Sequence, residues 1–418
     1  MSSEHSLDDG CGKDRIFNMS TQNSSNHKGP LNAVKVLDFS TLLPGPYATA
    51  MLVDLGAEVI RVESPTRVDL LKVLPPLKNG QSLIHLGLNR GKKSVAINLK
   101  TPEGLDLAKR LVSEADVLVE QFRPGVMSRL GLDYQTLSQV NPKLIYCSIT
   151  GYGQSGPYAH RAGHDINYLA LSGVASYSGR LGEGPRLSGV QIADIAGGSH
   201  PAVIAILAAL FERVHSGQGR YLDISMSDGA LALNALTASA AAHSEAPSYG
   251  ETFLNSGTLY DYYQSSDGRW LSVGSLEPQF AQGLLMTLGH PEWFKESLYP
   301  PRQQAKLKHK LTQVFASKSF AEWCEVFDQV DCCVEPVLTL KEALEHPLFK
   351  NRGLVKTELI DETEFIYVAS PLSTAFPETQ VDLAHDLGQD TDEILGNLGL
   401  SEVELEELRS KKVIKSTK

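Results

Sequence analysis

The chain has 418 residues, 42% of them hydrophobic and 21% charged, which suits two or three ordinary globular domains. Its formal net charge of −11 argues against nucleic acid or an anionic membrane as partner. Five cysteines (Cys11, Cys147, Cys324, Cys332, Cys333) show no paired metal spacing, so no metal site is expected. Their odd number fits a reducing, cytoplasmic setting, with mitochondrion and peroxisome left open. The Cys332-Cys333 neighbours read as a buried strand pair.

Residues 1–30 are polar, rich in Ser and Asn and without an apolar signal core, and read as a disordered extension. AVKVLDFS (33–40) then predicts a strand, LLPGPYATAMLVDLGA a loop and a helix ending at Gly56, and EVIRVESP (58–65) a second strand. KKSVAINL (92–99) is a third strand. PEGLDLAKRLVSEA (102–115) is an amphipathic helix with Thr101 as N-cap and Pro102 in its first turn. DVLVEQF (116–122) and KLIYCSITGYG (143–153) follow as strands. Strands alternating with helices predict a parallel, doubly wound, Rossmann-like sheet. No G-x-G-x-x-G follows the first strand, so ordinary dinucleotide use is not indicated. A long apolar helix is expected from near Asp194 to about Val214, its uninterrupted apolar run near 201–211 being too short for a membrane span. GRYLDISM (219–226) reads as a strand and DGALALNALTASAAAH as one Ala-rich helix. Around 258–277, aromatic and polar residues alternate about a Ser-Asp-Gly turn and predict short strands, followed by helices to about Cys324. A second, smaller domain over 262–344 is the natural reading. The tail, GQDTDEILGNLGLSEVELEELRSKKVI, predicts a helix, a turn and an acidic helix.

Two segments carry chemistry. AGHDINYLALSG places His164 between Gly163 and Asp165 at a helix start, and QIADIAGG places Asp194 among apolar residues. A carbon acid deprotonated on one face and reprotonated on the other needs two such groups, facing each other across a flat intermediate, near a donor that holds its negative oxygen. The amide of Asp165, exposed at a helix start, suits that oxygen. Desolvation would keep a carboxyl at Asp194 protonated. Glu277, in GSLEPQ, is a third candidate that could orient His164. Basic residues at strand ends, Arg90 in NRGKKS, Lys100 after Asn98-Leu99, and Arg123 in QFRPG, suit a phosphorylated ligand.

On VLDFSTLLPGPYATAMLVDLGAEVIRVESP, RGKKSVAINLK, QFRPGVMSRLGL, ITGYGQSGPY, AGHDINYLALSG, IADIAGG and SLEPQF, the chain resembles the class III CoA-transferase (CaiB/BaiF-type) superfamily, and within it the α-methylacyl-CoA racemases. The resemblance runs from about Ala33 to the C-terminus. It implies that His164 and Asp194 exchange protons on opposite faces of an enolate and that Glu277 pairs with the histidine. It also implies that the Asp165 amide holds the enolate oxygen. CoA contacts would fall at Ile97, Asn98, Leu99 and Lys100, at Gly163 to Tyr168, and at Arg123. CoA is then part of the substrate and no further cofactor is needed. The implied fold is α/β, with a Rossmann-like large domain (31–224), a linker (225–261), a smaller α+β domain (262–344), a linker (345–366) and a segment (367–418) returning to the large domain. The implied assembly is an interlocked homodimer. The implied reaction is epimerisation of a 2-methylacyl-CoA. The alternative is CoA transfer between carboxylic acids through an Asp194 anhydride, although transferases usually carry Tyr-Asp where this chain has His164-Asp165. One departure touches a phosphate contact: Glu63 is followed by Ser64-Pro65, where racemases often have Arg.

Overall fold

Six segments rich in Val, Ile and Leu pair in parallel at the centre of the molecule: β1 (Lys35–Asp38), β2 (Glu58–Glu63), β3 (Lys92–Ile97), β4 (Val117–Glu120), β5 (Ile145–Thr150) and β6 (Arg220–Ser225). This arrangement comes from a computed structural model that describes residues 29–360, 363–376 and 382–417. The expected polar extension, except for its last two residues, and Cys11 lie outside the described residues. A second sheet holds β7 (Asp261–Gln264), β8 (Trp270–Val273) and β9 (Val334–Pro336), all antiparallel. β10 (Val355–Ile360) and β11 (Thr363–Val368) form a hairpin, and β12 (Ile414–Lys415) lies antiparallel on the edge of β3.

The large sheet runs β6-β5-β4-β1-β2-β3-β12. Its order reverses between β1 and β4, so a crevice is expected at the carboxyl ends of these strands. Buried parallel strands carry apolar residues on both faces, and successive residues of each strand supply different cores. Leu37, Ile60, Leu118 and Tyr146 pack under the helix Pro102–Ser113 and the C-terminal helices. Val36, Val59, Val117 and Ile145 pack under the helices Pro44–Asp54 and His200–Ser216. Thr101 caps the helix Pro102–Ser113 as expected, its hydroxyl accepting from Gly104 N at 3.1 Å. The small sheet has its own core around Phe315, Leu311 and Trp323.

The tail helices, Thr391–Asn397 and Glu402–Ser410, complete the first core with Ile394, Leu395 and Leu405. Asp390 accepts from Ser94 N (2.7 Å) and Thr391 from Ala96 N (3.1 Å), so the edge strand is held by hydrogen bonds as well as by packing.

One local reading holds and two change. The long helix expected near Asp194 is present, continuous over Ile192–Ser216, with a mean hydropathy of 1.5 over its most apolar stretch. Length and composition would allow a span, but Ala202, Val203, Ile206 and Ala209 are packed on the sheet. The Ala-rich helix breaks into Met226–Ala232 and Ala238–His243. Buried Asn234 causes the break: its amide donates to Ser172 O at 3.0 Å and Leu231 O at 2.9 Å, competing with the helical ladder. Cys332 is buried, but Cys333 is exposed with φ at +58°, so the pair is a turn before β9 rather than strand.

Candidate active site

His164 is the last extended residue before the helix Asp165–Leu171, with φ −131° and ψ 174°. Its N–H donates to Asn167 Oδ1 at 3.0 Å, which closes the helix start through main chain and Asn167. The His164 side chain remains exposed. Behind it, Tyr168 is buried and donates its hydroxyl to Gly163 O at 2.6 Å. A Cβ at Gly163 would lie 2.7 Å from both the Tyr152 hydroxyl and the Tyr168 ring, so only glycine lets the chain pass here. Tyr168 therefore fixes the loop, and its hydroxyl is already spent within it.

Asp194 closes the first turn of Ile192–Ser216. The next turn, Ile195–Ser199, is a π-turn, a distortion common at functional sites. Gly197 and Gly229 cross there at backbone contact: a Cβ at Gly229 would stand 2.0 Å from Gly197 O. Ser199 Oγ donates to Asp194 O (3.1 Å) and Pro44 O (2.7 Å).

The structure joins the two motifs directly. Asp165 Oδ1 accepts from Ala193 N at 2.6 Å and from Asp194 N at 3.1 Å. Nothing local announces this bond, because an acid in a first turn is already explained by its own helix dipole. Burial pushes the Asp194 carboxyl up to about 6. The Asp165 charge adds to the rise and the His164 imidazole opposes it, so the two proton-transfer candidates stand within electrostatic range.

Other candidates are scattered. Glu277 is the exposed N-cap of Pro278–Thr287, near Cys333 in the small sheet's layer. Among the described residues, no hydrogen bond or ion pair joins it to His164 within one chain. Ile97 is a core residue paired with Ile414, and Leu99 packs on the same core. Asn98 Oδ1 accepts from Lys100 N at 3.2 Å, and Lys100 is exposed at the carboxyl end of β3. Arg123 is exposed just beyond β4, and its charge acts on Tyr168. Arg90 requires correction as a ligand contact. It is 5% exposed, ion-paired to Asp54 at 2.6 Å, bonded to Gly87 O and stacked over Tyr367, so it holds layers together.

A cavity of 340 Å³ opens beside Arg123, lined also by Glu120, Tyr134, Tyr146, Gln154 and Tyr221. It includes neither His164 nor Asp194. Sequence reasoning passed over Glu120, although an acid ending a buried strand was a visible signal. Its carboxylate accepts from Phe122 N at 2.7 Å and from the Ser148 hydroxyl, and burial pushes it up to about 7.

Residues 31–391 match the family model described as CoA-transferase family III. The chain is 38% identical over 399 residues to human α-methylacyl-CoA racemase, covering 93% of this chain and 98% of that protein. It is 35% identical over 336 residues to mouse succinyl-CoA:glutarate CoA-transferase, covering 78% and 76%. A solved CaiB/BaiF family protein from Brucella suis superposes with a TM-score of 0.75 at 30% identity, over 88% of this chain and 99% of that one. The match spans the sheet, the helix starts and both motifs described above, and the chain belongs to CoA-transferase family III.

Proposed function

We propose that this enzyme epimerises 2-methylacyl-CoA thioesters by 1,1-proton transfer. The observation that carries the reading is the junction of the two motifs: an exposed imidazole at one helix start and a carboxyl with its pKa near neutrality at another, tied by Asp165. His164 removes or returns the α-proton on one face and Asp194 on the other. A thioester α-carbon becomes acidic enough for such bases when its oxygen is held, and the Asp165 N–H, first of its helix and without an intrahelical acceptor, would hold it. Lys100 and Arg123 stand exposed near strand ends, where CoA phosphates would lie. No metal or redox cofactor is required by this scheme, since no electrons leave the substrate.

A homodimer belongs to the same reading. Ile204, Phe211 and Val214 on the long helix and Leu236 beyond it are large apolar side chains left exposed, which a second copy would cover.

CoA transfer is the second reading, supported by the likeness to the mouse transferase. There Asp194 would attack as carboxylate and form an anhydride. A pKa of about 6 leaves Asp194 able to serve as carboxylate or as acid near neutrality, so the two readings are separated by His164 and by experiment. The discriminating experiment is incubation of one pure 2-methylacyl-CoA epimer in deuterated water without any acceptor acid. Deuterium at the α-carbon together with the other epimer supports racemisation. If label fails to appear and CoA instead moves to added acids, the racemase reading falls.

A further inference from the structure

We infer that the carboxylate of Asp165 is a positioning group for Asp194, a duty separate from the one its amide would serve. The residue begins one helix and closes the start of another. Its Oδ1 accepts from the second and third N–H groups of Ile192–Ser216, at 2.6 and 3.1 Å, where that helix has no side-chain cap of its own. An acid at this point satisfies two orphan donors and meets the positive end of the helix dipole. Asp194 is thereby gripped at its own N–H by Asp165 and at its own carbonyl by Ser199. Its side chain leaves the helix at a place fixed relative to His164, because Asp165 directly follows His164 in the chain.

The same carboxylate acts through charge. Asp194 is partly buried, and the Asp165 charge favours its protonated form while His164 opposes it. Tyr168 also faces Asp194, with Arg123 beyond it. On Met226–Ala232, packed against the same turn, the only titratable side chain is Asp228. One residue thus sets both where the second proton-transfer group stands and how readily it holds its proton. The kinetic part of this inference rests on the racemase reading, whereas the titration part does not.

The experiment compares Asp165→Asn and Asp165→Ala with the parent in the full-length protein. The Asp194 carboxyl is titrated in the ligand-free state by difference infrared spectroscopy, with Asp194→Asn as the assignment control. Asp165→Asn keeps an oxygen for the two amides and removes the charge. Asp194 should then titrate below its value near 6, with at most a small drop in melting temperature from the lost charge at the helix start. The acidic limb of kcat/KM should move to lower pH by the same amount in both directions, because one equilibrium constant links them. Asp165→Ala also loses the grip, and kcat should fall by about a hundredfold while KM changes little. An unmoved Asp194 titration in Asp165→Asn would overturn the inference, and so would kcat in Asp165→Ala equal to that in Asp165→Asn. Absence of α-exchange in the parent would instead refute the proposed reaction and leave the titration result standing.

Discussion

Two aspartates near the carboxyl edge of the sheet show how neighbours, more than depth, decide what a carboxyl does. Asp38 is wholly buried, and burial alone would raise its pKa. The Lys92 ammonium at 3.3 Å and the Arg61 charge hold it below the ordinary carboxylate range, helped by the hydroxyls of Ser40 and Thr49. Lys92 is fixed in turn by Pro46 O at 2.7 Å and Asn89 Oδ1 at 3.0 Å. Asp194 is less buried, yet its nearest charged influence after burial is another acid, and it rises to about 6. The deeper group is locked as a charge and serves the fold. The shallower one is left able to change its protonation near neutrality, as the proposed reaction requires.

The contrast breaks first at the site. His164→Ala and Asp194→Ala should each lower α-proton exchange by about 10²–10⁴-fold, the usual worth of a general acid or base, without shifting the melting curve. Deuterium incorporation followed by NMR checks this, and parent-like exchange in both variants would refute the two-base scheme. At the buried pair, Lys92→Met should leave Asp38 without its partner and cost about 3–5 kcal/mol, read by urea denaturation. A loss in activity without a loss in stability there would mean that Lys92 serves the reaction instead.

Gly229→Ala should cost about 1–3 kcal/mol, because a new methyl would press on Gly197 O at 2.0 Å and displace the turn after Asp194. Its kcat should fall along with its stability, and an unchanged kcat would show that the crossing does not set the position of Asp194. The smallest effect sharpens the rule with a third acid. Glu120 has a folded pKa near 7, above its ordinary value of 4.5, so the folded state holds its proton longer than the unfolded one. Its contribution is therefore lost as pH rises from about 4.5 to 7. Relative to the parent, Glu120→Gln should gain in melting temperature between pH 5 and pH 8, and a flat difference would contradict that sign.

Much of this arrangement could be read from local pattern. EVIRVE and KKSVAI are stretches of strand length carrying Val and Ile, and Thr101-Pro102 is a helix start that needs no tertiary help. His164 and Asp194 stood out because a glycine and a turn of apolar residues frame them. What escaped depends on partners far along the chain. Arg90 looked like a free cation until Asp54 was placed beside it, and Asn234 looked helical until Ser172 offered a carbonyl. The Asp165–Asp194 bond links residues 29 positions apart through a side chain whose presence another rule already explained. The placement of Glu277 stayed open for a different reason, since a single chain leaves it apart from His164.

The edge strand Lys92–Ile97 has its outer backbone groups satisfied by Asp390, Thr391 and Ile414. As the chain leaves the ribosome, that edge must wait for partners 296 positions downstream. The nascent protein thus carries a bare β-edge until the 390–415 segment is made, a surface that chaperones would be called upon to shield. Synthesis of that segment is therefore the event that seals the sheet.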